Sequence, residues 1–138
     1  MSEPNDFVVT VPIGFTHPCA PGQKGLDAWI AEGDAAGEPW SGIDWAFTTW
    51  GARPEWSEGS RLYIVCEDRI RGYAPIVSVT FEGILKNAGR VHFIREGNAV
   101  AVTIPKKVTG FRGYRHRWWD LSDEIPFPDW KTEDRRHK

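Results

Sequence analysis

Two stretches decide the fold class: Arg61-Leu62-Tyr63-Ile64-Val65-Cys66, and the run 70–81 that reads IRGYAPIVSVTF. Both are rich in β-branched and aromatic residues, and Glu67-Asp68-Arg69 between them is turn chemistry, so they read as two strands of a hairpin. Pro75 cannot donate to a ladder and forces a bulge, bend or edge position in the second strand. Working outward, 7–13 (FVVTVPI) predicts a first strand ended by Gly14, and Trp45, Phe47 and Thr49 alternate with Ala46, Thr48 and Trp50 as a half-buried strand does. Val91, Phe93 and Arg95 lead through Glu96-Gly97-Asn98 to Val100, Val102 and Ile104, which predicts a second hairpin ended by Pro105. The stretch 111–119 (FRGYRHRWW) reads as a last strand with a cationic face. Leu26, Trp29 and Ile30 share one helical face, and Gly33 and Gly37 mark the end of what is the one convincing helix. The expectation is an α+β, mostly β fold: a small curved or closed β-barrel with one main helix packed against it.

With 138 residues, 41% of them hydrophobic, the chain suits a single domain over 1–130, followed by a loose polar tail at 131–138 (KTEDRRHK). No uncharged apolar stretch approaches a bilayer span, and Glu3 and Asp6 stand where a secretory leader carries Lys or Arg, which together predict a cytoplasmic protein without a membrane role. Cys19 and Cys66 are too few for a disulfide scaffold and read as reduced thiols. His17, His92, His116 and His137 form no i, i+4 pair, so no metal site is expected. Phosphate-loop and dinucleotide fingerprints are absent, and so is the His-x-Glu with Pro-Cys-x-x-Cys of nucleobase deaminases, so no cofactor is expected. His17-Pro18-Cys19 pairs a thiol with an imidazole, but neighbours in a Pro-rich loop rarely hold the geometry of nucleophile and base.

Charge is unevenly placed beneath a net of -2. Residues 1–52 hold Lys24 alone against seven acids, whereas 53–117 hold twelve Lys and Arg against six acids. Such asymmetry either projects a directional field toward a partner or neutralises itself across the domain. Eight Trp in so short a chain either fill a core or line a binding face. The strongest sign of nucleic-acid binding is the mixture of Lys106, Lys107, Arg112, Arg115 and Arg117 with Phe111, Tyr114, Trp118 and Trp119, because phosphates need cations and unpaired bases need flat faces. Those five cations are the candidate phosphate ligands. Arg71-Gly72-Tyr73-Ala74 starts like an RNA-recognition motif, but Pro75 replaces the next aromatic, and Gly110-Phe111-Arg112-Gly113 has the form of a KH loop without the two helices that loop joins.

The segment Glu58-Gly59-Ser60-Arg61-Leu62-Tyr63-Ile64-Val65, followed by Arg69-Ile70-Arg71-Gly72-Tyr73-Ala74-Pro75-Ile76, resembles the central hairpin of PUA-like domains, the superfamily that includes the ASCH and EVE groups. Ser60 stands where Asp is common in the Gly-Asp-Arg turn of that hairpin. Upstream, Thr49-Trp50-Gly51-Ala52-Arg53-Pro54-Glu55 resembles its lead-in, with Arg53 for the ASCH Lys and Glu55 one residue early. The likeness covers about 44–81. It implies a compact barrel with a concave pocket for a nucleobase, often a modified one, in a module that binds RNA or reads modified bases. The candidate pocket comprises Trp40 and Ser41 of a Gly and Pro-rich loop, Thr48, Trp50 and Trp56 around the lead-in, and Arg71, Tyr73 and Tyr114. Trp40 in that loop either plugs the barrel end or forms a pocket wall.

One ASCH branch is similar to amidohydrolases that deacetylate acetylated cytidine with a Lys, a Thr and a Glu. The counterparts here are Arg53, Thr48 or Thr49, and Glu55, and an Arg cannot lose its proton near neutrality. A binding module is therefore expected, with a small hydrolase acting on a modified nucleoside as the alternative. A protein-interaction module using Asp27, Glu32 and Asp34 toward a basic partner is the third reading. The sequence leaves RNA against DNA, and the oligomeric state, undecided.

Overall fold

A computed structural model describes residues 5–11, 14, 22, 24–25, 46–66, 68–85, 88–95, 100 and 102–126. Its elements are β1 (Phe7–Thr10), β2 (Ala46–Gly51), β3 (Arg61–Cys66), β4 (Arg69–Leu85), β5 (Ala88–Arg95), β6 (Val102–Thr103), β7 (Tyr114–His116), a 3-10 turn (Leu121–Asp123) and β8 (Ile125–Pro126). Six strands form one sheet in the order β2-β5-β4-β3-β1-β7, and β6 pairs with β8 in a second, two-stranded sheet. β1 runs parallel to β3, and every other pairing is antiparallel.

The expected hairpin of 61–66 and 70–81 is present, tightened by Asp68 at φ 62, a left-handed conformation that Asp tolerates better than most residues. β4 is long because it serves two partners in turn. Arg69 to Pro75 pair with β3, and Ile76 to Leu85 pair with β5, with a register shift between Ile76 and Ser78. Pro75 thus sits where the strand changes neighbour, beside a bulge that bends the sheet.

That bend, with the ordinary twist, curls the sheet until non-neighbouring strands meet across its concave face. The Phe7 and Phe93 rings, on β1 and β5, lie 5.3 Å apart, and Tyr114 of β7 stands edge-on to both at 5.6 and 5.5 Å. Around them the alternate residues Val9, Val11, Leu62, Ile64, Ala74, Ile76 and Val91 are buried, as a period of two requires. The outer edges also touch. The Tyr114 ring covers Gly51, where a Cβ would lie 2.8 Å from the ring, and its hydroxyl donates to the Ala52 carbonyl at 2.7 Å. Gly113, at φ 73, brings its backbone so close to β2 that a Cβ would meet the Trp50 carbonyl at 2.8 Å. The β2–β7 seam is thus closed by a side chain and two glycines, with no backbone ladder between these strands.

The convex side of β1, β3 and the start of β4 is buried as well. Val8, Tyr63, Val65 and Ile70 pack there against Ile104, Val108 and Trp119. Burial on both faces explains why FVV and LYIVC are unbroken apolar runs, a pattern of doubly covered strands.

Several expectations change. The first strand stops at Thr10, although Val11 still donates to the Val65 carbonyl at 2.8 Å. β5 hairpins with β4, not with 100–104; Val100 instead bridges Tyr73, and Val102–Thr103 pairs with β8 on the convex side. Val100 is exposed, whereas Thr103 and Ile104 are both buried, Ile104 in the convex-face cluster that holds Tyr63. The expected last strand over 111–119 is ladder-bonded only at Tyr114–His116. The helix expected from Leu26, the acidic residues Asp27, Glu32 and Asp34, and the tail 131–138 lie outside the described residues. Among those described, the only helical element is the turn Leu121–Asp123, so the mostly β, curled-barrel character holds and a packed main helix is not part of what is described. No helix among them is long and apolar enough to cross a membrane.

Candidate nucleic-acid interface

Beyond β5 the chain crosses the convex face, and this crossing builds the most featured surface among the described residues. Pro105 ends β6 and turns Lys106 and Lys107 outward; Val108 then donates to the Asp68 carbonyl at 2.9 Å, tying the turn to the β3–β4 hairpin. Arg69, Lys106 and Lys107 with Asp68 and Pro105 line an open groove of about 480 Å³. Lys107 Nζ lies 3.7 Å from Asp68 Oδ2, both side chains being well exposed, so that pair is weak.

A second hollow of about 330 Å³ adjoins the groove, sharing Pro105 and Lys106, and is lined further by Ile104, Trp118, Trp119, Asp120 and Asp123. At the bend that follows β7, Trp119 is an anchor at 7% exposure and Trp118 beside it is a wall at 50%. The two rings meet at 88° with centroids 4.9 Å apart. Trp119 Nε1 donates to Glu124 Oε2 at 2.9 Å, and the Tyr63 hydroxyl donates to the same oxygen at 2.5 Å. Burial, and then that bond to Glu124, push the Tyr63 hydroxyl well above its ordinary pKa, so it remains a donor throughout the neutral range. Arg61 lies 3.6 Å from the other Glu124 oxygen and covers the Tyr73 ring at 4.3 Å.

The proposed phosphate ligands are placed unequally. Lys106 and Lys107 line the groove, and Arg112 and Arg115 are exposed. The Arg115 guanidinium lies 4.2 Å over Phe111, whose ring in turn contacts Trp118 at 6.4 Å, so this cation reaches the aromatic wall through Phe111. Arg117 has a different environment. Its Nε donates to Asp6 Oδ2 at 2.8 Å, its Nη1 donates to the Trp119 carbonyl, and both members of the ion pair are largely buried. It ties β1 to the chain after β7 rather than facing the groove.

The proposed base-pocket residues do not converge. Trp40 and Ser41 lie outside the described residues. Thr48 and Trp50 project from the outer face of β2 beside His92 and Arg90, their partners on β5. Trp56 is half-buried against the inner core. Arg71 Nε donates to the Cys66 carbonyl at 3.1 Å, Tyr73 packs on Tyr63 with ring centroids 5.1 Å apart, and Tyr114 closes the barrel seam. Burial raises the Tyr114 pKa too, which keeps its hydroxyl a donor. Trp118, Asp120, Asp123 and Arg69 complete the groove and hollow without having been singled out for a pocket; the Trp-Trp-Asp sequence directly after a cationic run is the signal that marks them.

On the outer face of β2 and β5, Thr48 Oγ1 and His92 Nδ1 lie 2.9 Å apart, and His92 Nε2 is 3.8 Å from Glu82 Oε1 on β4. Among the described residues no group of His, Cys, Asp and Glu is arranged to hold a metal.

No family model, curated protein or solved structure matches the chain.

Proposed function

We propose that the protein is a nucleic-acid-binding module of PUA-like type, holding a single-stranded segment, RNA or a strand with a modified base, on the convex side of its barrel. The observation that carries this is the junction of the two hollows at Pro105 and Lys106: a groove with three cations runs into a hollow with an exposed Trp wall. Cations neutralise phosphates, and one base stacked on an aromatic contributes about 1–3 kcal/mol. In this reading Lys106, Lys107 and Arg69 take the backbone, Arg112 and Arg115 extend the cationic field past Phe111, and Trp118 carries a base. Recognition involves no covalent chemistry. The test is fluorescence anisotropy against single and double-stranded RNA and DNA, with plain, methylated and acetylated cytosine, at two salt concentrations. Salt-dependent binding to single strands that also quenches Trp emission is expected; no binding to any member removes the reading.

A hydrolytic reading draws on one contact, the 2.9 Å approach of Thr48 Oγ1 to His92 Nδ1, which sets a hydroxyl beside a base. It predicts acetate release from acetylated cytidine that is lost in Thr48→Ala, and absence of product after long incubation removes it.

A further inference from the structure

We infer that the hollow beside Trp118 selects guanine, an inference that rests on the nucleic-acid reading. Its volume, about 330 Å³, lies at the small end of ligand sites and suits a single base better than a larger ligand. The Trp118 ring is set in place by its edge-to-face contacts with Trp119 and Phe111, so it is a pre-positioned stacking face.

The polar lining is what separates the bases. Lys106 stands on the side shared with the groove, and Asp120 and Asp123 belong to the turn that follows the Trp pair. Asp120 occupies the capping position of that turn, yet its carboxylate makes no capping bond, and both carboxylates are exposed. A carboxylate only accepts hydrogen bonds and an ammonium only donates them. Guanine answers both: N1–H and the N2 amino group are adjacent donors for one carboxylate, and O6 and N7 are adjacent acceptors for a Lys. Adenine and cytosine each place a ring-nitrogen acceptor beside their amino group, which a carboxylate repels. Uracil flanks its single N–H with two carbonyls. Guanine therefore matches an aromatic slot whose lining holds both a cation and carboxylates.

The experiment titrates the full chain with uridine 8-mers carrying G, inosine, A, C or U at the centre, read by anisotropy and Trp quenching. The expected result is that the G oligomer binds about tenfold tighter than the A, C and all-U oligomers. Inosine, which lacks the N2 amino group, should lose part of that gain. Asp120→Asn with Asp123→Asn should abolish the preference, so that the G, A, C and all-U oligomers bind alike, and an unaltered thermal melt verifies that the exposed double variant folds. Equal affinity for every central base, with salt-dependent binding intact, overturns the guanine assignment and leaves the binding module standing. Absence of salt-dependent binding to any oligomer overturns the module itself and the assignment with it.

Discussion

Replacing Glu124 by Ala tests whether the convex face is fastened by one carboxylate. That group receives the Tyr63 hydroxyl at 2.5 Å and the Trp119 indole N–H at 2.9 Å, and its side chain is only 9% exposed. Removing it strands two donors, each costing about 1–3 kcal/mol when left unsatisfied in the interior. Water entering from the adjoining hollow recovers part of this, so the expected loss is about 2–4 kcal/mol, equivalent to a fall in Tm of about 10 °C at this chain length. The Arg61 contact at 3.6 Å adds little, because that guanidinium is one-third exposed. Urea unfolding followed by Trp fluorescence measures the loss, and Glu124→Gln, which keeps an acceptor oxygen, should recover at least half of it. A Glu124→Ala midpoint within about 0.5 kcal/mol of the parent, the range of an ordinary surface change, would refute the reasoning.

Lys106→Glu with Lys107→Glu should flatten the dependence of log binding constant on log salt by about 1.4, two phosphate contacts at about 0.7 each for single strands; an unchanged slope removes both residues from the interface. Stability should fall on the alkaline side. Tyr63 and Tyr114 have raised pKa values in the folded state, so their contribution is complete below about 10, the unfolded value, and is lost as the pH rises beyond it toward the folded values. Urea midpoints measured from pH 8 to pH 11.5 should stay level and then drop, and Tyr63→Phe should make the drop shallower. Gly113→Ala should cost about 1–3 kcal/mol, because φ 73 and the approach to the Trp50 carbonyl both resist a Cβ, whereas Gly14→Ala, which meets nothing within 4 Å, should cost less than about 0.5 kcal/mol in the same assay.

The β-rich class and the central hairpin were legible because their signals are local. Arg61–Cys66 matches the expected strand, and Pro75 marks the bend its missing donor implied. Pairing partners were less legible. Val100, Val102 and Ile104 carry the alternation of a hairpin arm, yet that pattern does not name a partner: Val100 bridges Tyr73, Val102 pairs with β8, and Ile104 packs with Tyr63, none of them with β5. The site was half legible for the same reason. A cationic run shows in the sequence, but that Arg117 is matched with Asp6, more than a hundred residues earlier, depends on the antiparallel pairing of β7 with β1. Trp118 and Trp119 are identical as letters, and only the convex face separates the wall from the anchor.

The position of β1 has a consequence for how the chain reaches this state. Phe7 is paired on one side with Leu62 and on the other with His116, so the first strand lies between elements made much later. Each pairing closes a long loop before it returns any burial, which slows the search and raises the barrier to folding. During synthesis the apolar FVV segment gains its first neighbour with 61–66 and stays without its second until 114–116 has emerged. Shortening the chain before Tyr114 would leave one side of β1 and the Phe7 ring uncovered, which makes the far end of the sequence the closing step in assembling its beginning.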